Sequence, residues 1–500
     1  MCSNSLHLIR IASILFCLIL TACGGGGGGG GDGVSNSNTP PTNTATFVSA
    51  ANVPDAKLRR CLNTLAATNG WSTFADVTAI ICTNAPYDPL DFATISSLSG
   101  LENFTNLTYL EIIGIGIGGG PIEINRVIHD ISPLGNLQKL AYINLDGNRI
   151  SDLGPLRNLT ALFFLSLAEN YIYDLSPLSN LVKLELLDLN HNFNAFGIPL
   201  RDLSPLNGLH ALTYLDVGSN DIRDITPLAG LSNLQVLDLS RNYIADFTSL
   251  SGLFALEYLD ISSPFVIIPG NSLPASLTNL NNLTELYVDG WSGKDDISAV
   301  QDLTKLEVLS LGFVGTIDLT KLSRLTALRE LYLPFASAIN ASALIGLSNI
   351  TILDLTSIHF ADASNFSFLS QMPNLTGLSL RSGSAYFTDA SLLSNLVNLQ
   401  VLDLGFIQFN NLAPLTSLSK LEVLALDSTR ITDITPLSSL TKLRELDLSN
   451  TDVVELSPLI VLQGLQVLYL RSLPSLPCAE VNEIQAAMPH LVVIFEGTCR

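Results

Sequence analysis

The feature that most constrains this chain is a period. From residue 137 it reads LQKLAYINLDGNRISDLGPL and then LTALFFLSLAENYIYDLSPL, each fitting L-xx-L-xx-L-x-L-xx-N-x-I-xx-L-xx-L over 22 residues. The first residue of the L-x-L pair falls at Ile143, Leu165, Leu187, Leu215, Leu237, Leu259, Leu286, Leu309, Leu331, Leu353, Leu378, Leu402, Leu424, Leu446 and Leu468. Most steps are 22 residues, with longer ones after Leu187, Leu259, Leu286, Leu353 and Leu378. Ile80 and Leu110 extend the series backwards with insertions between, making about seventeen turns. A unit this short cannot bury its own apolar face, so successive units must stack. Alternation with period two predicts a short strand in every turn with its leucines inward.

The rest of each turn is equally regular. Asn148, Asn170, Asn192, Asn220 and Asn242 suit a buried carboxamide that bonds the backbone of adjacent turns. The motif D-L-S-P-L, at Pro177 and Pro205 with variants at Pro133, Pro155, Pro227, Pro414, Pro436 and Pro458, marks the return leg. Proline there disfavours a long helix and favours a tight 3₁₀ segment. Asp152, Asp174, Asp202, Asp224, Asp246 and Asp433 precede that leg and are placed to cap its backbone amides. This is the leucine-rich repeat signature, and its 22-residue N-x-I-x-D-L-x-P-L form resembles bacterial internalin-type proteins over residues 77–475. The fold class expected is therefore an α/β-type repeat solenoid. It would be a horseshoe with a parallel sheet on its concave face, short 3₁₀ or irregular convex segments, a helical N-cap and disulfide-closed caps.

The sequence divides into a signal peptide over 1–22, a tether over 23–46, a helical cap over 47–76, repeats over 77–475 and a C-terminal cap over 476–500. The final cap reads as a helix plus one closing strand. Residues 11–22, IASILFCLILTA, are too short an apolar run to span a bilayer and fit a secretory h-region. Leu20-Thr21-Ala22-Cys23 resembles the lipobox of bacterial lipoproteins, which implies lipidation of Cys23; Gly24 in place of Asp then implies the outer membrane. Gly24–Gly31 lacks the strand and helix that flank a phosphate loop and instead begins the Gly/Ser/Asn/Thr/Pro tether. As a coil that tether would span roughly 25–30 Å. Export also suits two disulfides, Cys61–Cys82 and Cys478–Cys499, each closing a loop worth roughly 3 kcal/mol in the chain-entropy model. The alternative is four buried free thiols.

Twenty-four basic against 45 acidic residues leave a formal charge of −21, the opposite of what a nucleic-acid binder needs. The six histidines are scattered, no cysteine cluster has metal spacing, and no G-x-S-x-G, H-E-x-x-H or phosphate loop occurs, so no enzyme, metal or cofactor is expected. Internalin-type proteins bind other proteins on the concave sheet, which directs attention to that face. Seventeen strands would make it roughly 80 Å long. Alternation turns outward the residues one before, one after and three after the first leucine of each strand. The candidate ligand-binding residues on it are Tyr142, Phe164, Asp188, Tyr214, Asp216, Asp238, Tyr258, Asp260 and Tyr287. An acidic ladder beside exposed aromatics suits a protein or glycan partner with a basic surface. The other reading is an envelope scaffold without a ligand, its L-D-L strands being repeat background. Phe313, Phe335 and Phe406 lie four residues past their leucines and could form an exposed edge or an inward spine; periodicity allows both. The longer turns HNFNAFGIPLRDL and SSPFVIIPGNSLPASLTN, and Trp291, are expected in protruding loops.

Overall fold

The computed structural model describes residues 52–82, 95–114, 128–192, 199–263, 272–291, 295–313, 315–360, 366–382, 387, 389–473 and 475–496. All belong to one compact unit, Asn43–Arg500. The signal peptide, Cys23, the tether, Cys499 and the centres of both long turns lie outside the described residues.

Every L-x-L pair forms a strand, most of them three residues long, and the strands join into one eighteen-stranded parallel sheet. Its register never slips. Ile80 pairs with Leu110, Leu110 with Ile143, and the first leucine of each turn with that of the next as far as Leu446 and Leu468. A last strand, Val492–Glu496, pairs Val493 with Leu468. The burial pattern along a typical strand, half-buried, buried, half-buried, follows from alternation: the central leucine points into the core, the flanking residues out. Leu165, Leu187, Leu215 and Leu237 are 0% exposed. Each fully buried leucine contributes about 1.5–3 kcal/mol by the transfer scale.

The return legs are short 3₁₀ segments such as Ser176–Leu178, Ser204–Leu206 and Ser457–Leu459, with the proline at their second position. All six predicted aspartates accept from the backbone N–H two residues on, at 2.8–2.9 Å. The asparagines do bridge turns. Asn170 Nδ2 donates to Leu145 O at 3.0 Å in the turn before and Leu167 O at 3.2 Å in its own, while its Oδ1 accepts from Ile150 N at 2.9 Å. Later turns lose this bridge, because Thr429 and Thr451 reach only their own turns, at Leu426 O and Leu448 O.

Two features differ from the sequence reading. Trp291 is not in a protruding loop; it is 2% exposed and occupies the asparagine position of its turn. Its Nε1 donates to Ile261 O at 2.9 Å, so the indole makes the inter-turn bond that asparagine makes elsewhere. Behind the main sheet, Thr316–Asp318, Ser337–Ile339 and His359–Phe360 form a second, three-stranded parallel sheet. These turns lack the proline motif, and their extended residues pair across turns ahead of the 3₁₀ legs Leu319–Leu322, Ala341–Gly346 and Phe366–Gln371.

At the N-terminal end, helix α1 (Ala56–Asn69) is capped by Asp55, which accepts from Lys57 N and Leu58 N at 2.9 Å. Cys61 on this helix is disulfide-bonded to Cys82. Helix α2 (Cys478–Ala487) precedes the last strand, and Cys478 is disulfide-bonded; the partner expected for it, Cys499, falls outside the described residues.

Candidate functional site

The outward face of the sheet is organised in columns, because an unslipped parallel register sets equivalent residues side by side at about 4.8 Å. Asp188, Asp216, Asp238 and Asp260 occupy one column on four adjacent strands. Each sends Oδ1 back to the N–H two residues on, at 2.9 Å for Asp188 and 2.8 Å for the other three. The backbone bond fixes the orientation of each carboxyl. Gly218 leaves room beside this column: a Cβ there would stand 2.8 Å from Asn190 Nδ2 and 2.9 Å from Asp238 Oδ1, so a larger residue would displace those side-chain ends.

Burial disfavours the charged forms of these carboxyls, and their neighbours add repulsion. Burial lifts Asp216 well above the carboxylate range, with Asp238 and Asp188 raising it further; Asp260 is lifted likewise by burial and then by Asp238. Asp188 is pushed up to about 8 by burial and by Asp146. Among the described residues no Lys or Arg pairs with Asp188, Asp216 or Asp260. Nor do any three His, Cys, Asp or Glu side chains among them converge as a metal site would require. The ladder carboxyls stand in line rather than around a point.

The aromatic candidates flank this column but are not exposed as the sequence suggested. Tyr142, Phe164 and Tyr258 are 7%, 7% and 8% exposed. They point away from the core, yet in-register neighbours cover their faces. Tyr109, Tyr142 and Phe164 stack in a continuous run with centroids 4.0 Å apart at each step. Tyr258 leans on Tyr287 at 5.5 Å. Tyr214 and Tyr287 are half-buried. The four carboxyls are half-buried like Tyr214 and Tyr287, and so are more accessible than Tyr142, Phe164 and Tyr258.

Phe313, Phe335 and Phe406 resolve the other way. Each is 50% exposed. The buried phenylalanine cluster is built from other residues, Phe360, Phe366 and Phe387, in edge-to-face pairs at 5.1 and 5.3 Å.

The sequence reading turned the position three past the first leucine outward but named no candidate in that column. Asp146 extends the acidic face and accepts from Ser166 Oγ at 2.7 Å and Ala168 N at 2.8 Å; burial pushes it up to about 6. Asp289 accepts from Ser310 Oγ at 2.7 Å and Gly312 N at 2.5 Å. Further along, Arg381 grips Asp427 with two bonds, at 2.8 and 2.6 Å, contacts Asp403 at 3.3 Å, and lies 4.9 Å from the Phe406 ring centroid. A Cβ at Gly405 would be 2.5 Å from the Arg381 guanidinium, so this closed cluster depends on glycine. The same alternation rule that found the ladder identifies this column; its acids are simply spaced too irregularly to form a visible run.

The family described as leucine-rich repeat region matches residues 193–435, and that described as leucine rich repeats (2 copies) matches 419–460. No curated protein matches the chain significantly in sequence. Among solved structures, a leucine-rich repeat protein from Leptospira interrogans is similar at 21% identity and TM-score 0.61, covering 80% of this chain and 99% of its own. The plant peptide hormone receptor RGFR1 in complex with RGF2 is similar at 17% identity and TM-score 0.50, over 74% of this chain and 64% of its own. An internalin from Listeria monocytogenes aligns at 26% identity and TM-score 0.49, over 83% of this chain and all of its own. With its repeats stacked in one register and its 3₁₀ return legs, the chain is in fold a leucine-rich repeat solenoid.

Proposed function

We propose that this chain is an exported, lipid-anchored, non-catalytic solenoid that binds a protein partner on the outward face of its sheet. The observation that carries the reading is the column Asp188, Asp216, Asp238 and Asp260. Four like-signed groups in register repel one another and are further disfavoured by burial. A cation brought by a partner relieves both penalties, which is a reason for a ligand and not for a fold. Basic side chains spaced along a protein segment match a line of carboxylates better than a single ion does, because the line has no converging centre. The charge of −21 adds long-range steering of a basic partner.

Selection of a random displayed-peptide library on the protein is expected to return Lys- and Arg-rich sequences. Their binding should be lost in Asp216→Lys and Asp238→Lys and kept in Glu483→Gln, a control on α2. Binders without basic enrichment, or binding untouched by the reversals, would falsify the ladder as the site. Anchoring is tested separately: Cys23→Ala should move the protein from the membrane fraction to the soluble one, and retention in the membrane would refute lipidation.

A further inference from the structure

The residue four past the first leucine adopts the left-handed conformation in turn after turn, and in two adjacent turns that residue is an exposed phenylalanine. Gly147, Gly290, five serines and Asn450 hold this position, as do the polar Glu169, His191 and Arg241, with φ between 52° and 87°. Phe313 and Phe335 hold it at φ 56° and 57°. A bulky residue is disfavoured at such φ, whereas Gly and Asn accept it readily. Here the large side chain also gains little from the protein's own core. The two rings stack at 4.4 Å with an interplanar angle of 14°, and each stays half exposed. Phe406 shares the backbone conformation at φ 63° but has a partner within the chain, Arg381. The flanking positions are small: Gly290 precedes Phe313, and Ser357 and Ser382 follow Phe335, leaving the stack's sides open along that edge.

The stack is continuous with the acidic column. Asp260 Oδ1 accepts from Ser262 N, Ser262 Oγ accepts from Asp289 N at 3.1 Å, and Asp289 Oδ1 accepts from Gly312 N, next to Phe313. Phe313 is two strands beyond Asp260, roughly 10 Å along the sheet.

We infer that Phe313 and Phe335 are the apolar anchor point of the ligand-binding face, taking one aromatic or large aliphatic side chain of a basic protein segment whose Lys or Arg residues lie on the Asp188–Asp260 column. This rests on the function proposed above and adds the anchor to it. A second copy of this chain is the wrong occupant on charge, since it brings another −21 to an acidic face. At about 3.3 Å per extended residue, the 10 Å offset sets the anchor roughly three residues past the last basic one.

Two synthetic peptides test it on the full chain: Lys-Gly-Lys-Gly-Lys-Gly-Gly-Trp, and the same peptide ending in Gly. Calorimetry is expected to show the Trp peptide binding roughly tenfold tighter, the ratio that about 1.4 kcal/mol gives. Phe313→Ser with Phe335→Ser should erase that ratio and leave the Gly peptide's affinity unchanged. Serine already holds this position in two neighbouring turns, so the unfolding midpoint should be maintained, and Phe313→Asn with Phe335→Asn repeats the test with a residue that favours left-handed φ. Asp216→Asn with Asp238→Asn should weaken both peptides alike. Equal affinity of the two peptides, or a ratio that survives the serine pair, overturns the anchor and leaves the ladder standing. Indifference to the aspartate changes overturns the ladder, whatever the ratio does. Self-association in sedimentation that the serine pair abolishes would assign the stack to a second copy and overturn the inference.

Discussion

The carboxamide of Asn170 serves two turns at once: its Nδ2 donates across the stack and within its own turn, and its Oδ1 accepts from the turn before. Thr429, at the equivalent place, makes one bond, to its own turn. The two are therefore expected to differ when truncated. Asn170→Ala strands buried donors and acceptors on both turns and should cost about 2–3 kcal/mol, against about 1 kcal/mol for Thr429→Ala. Urea unfolding of the full chain measures both, and equal losses would contradict the inter-turn role. The asparagine role was legible in the sequence because a polar residue recurring at a leucine-like spacing has to satisfy itself internally. Trp291 was not, since an indole at that place reads as an interruption until its Nε1 is seen reaching Ile261 O.

Among elements, the return legs depend on short-range chemistry that sequence displays plainly. Asp174 accepts from Ser176 N at 2.8 Å and from Ser176 Oγ at 3.0 Å. Asp174→Ala should lower the thermal midpoint and Asp174→Asn should retain most of it, because an amide oxygen can still accept from the Ser176 N–H. If the two variants melt alike, the cap is not what holds that leg. The strands and these legs were readable because their patterns are local and repeated. The burial of Tyr142, Phe164 and Tyr258 was not: alternation says which way a side chain points, whereas exposure depends on what stands one strand away. The same limit left Phe313 and Phe335 undecided, and it hid the small rear sheet, where residues a whole turn apart in sequence supply the pairing.

In the whole molecule, two populations of aspartate act on stability in opposite directions. The ladder carboxyls hold their protons more tightly folded than unfolded, Asp188 up to about 8 and Asp146 up to about 6, through burial first. Between the ordinary carboxylate range and those values the folded state carries more protons, so stability rises as pH falls through them. Asp130 and Asp224 are held below the usual value by the N–H groups of Ser132 and Thr226, so their contribution is lost only as pH falls beneath that range. The thermal midpoint should accordingly climb from pH 8.5 to about 5 and drop below about 3.5. A midpoint that falls steadily across the first interval would show that the ladder is not strained. Binding of a basic peptide should run the other way, weakening from pH 8.5 to 5.5 as the carboxyls take up protons.

The register that never slips from Ile80 to Val493 has a consequence for how such a surface can change. Position within a turn acts as latitude and turn number as longitude, so every outward residue has an address on a grid. Inserting or deleting one 22-residue unit shifts everything beyond it by one rung and leaves each residue's own neighbours of the same kind. The molecule is graduated like a ruler, and the spacing between its acidic stretch and its phenylalanine pair can be retuned in whole rungs without redesigning either.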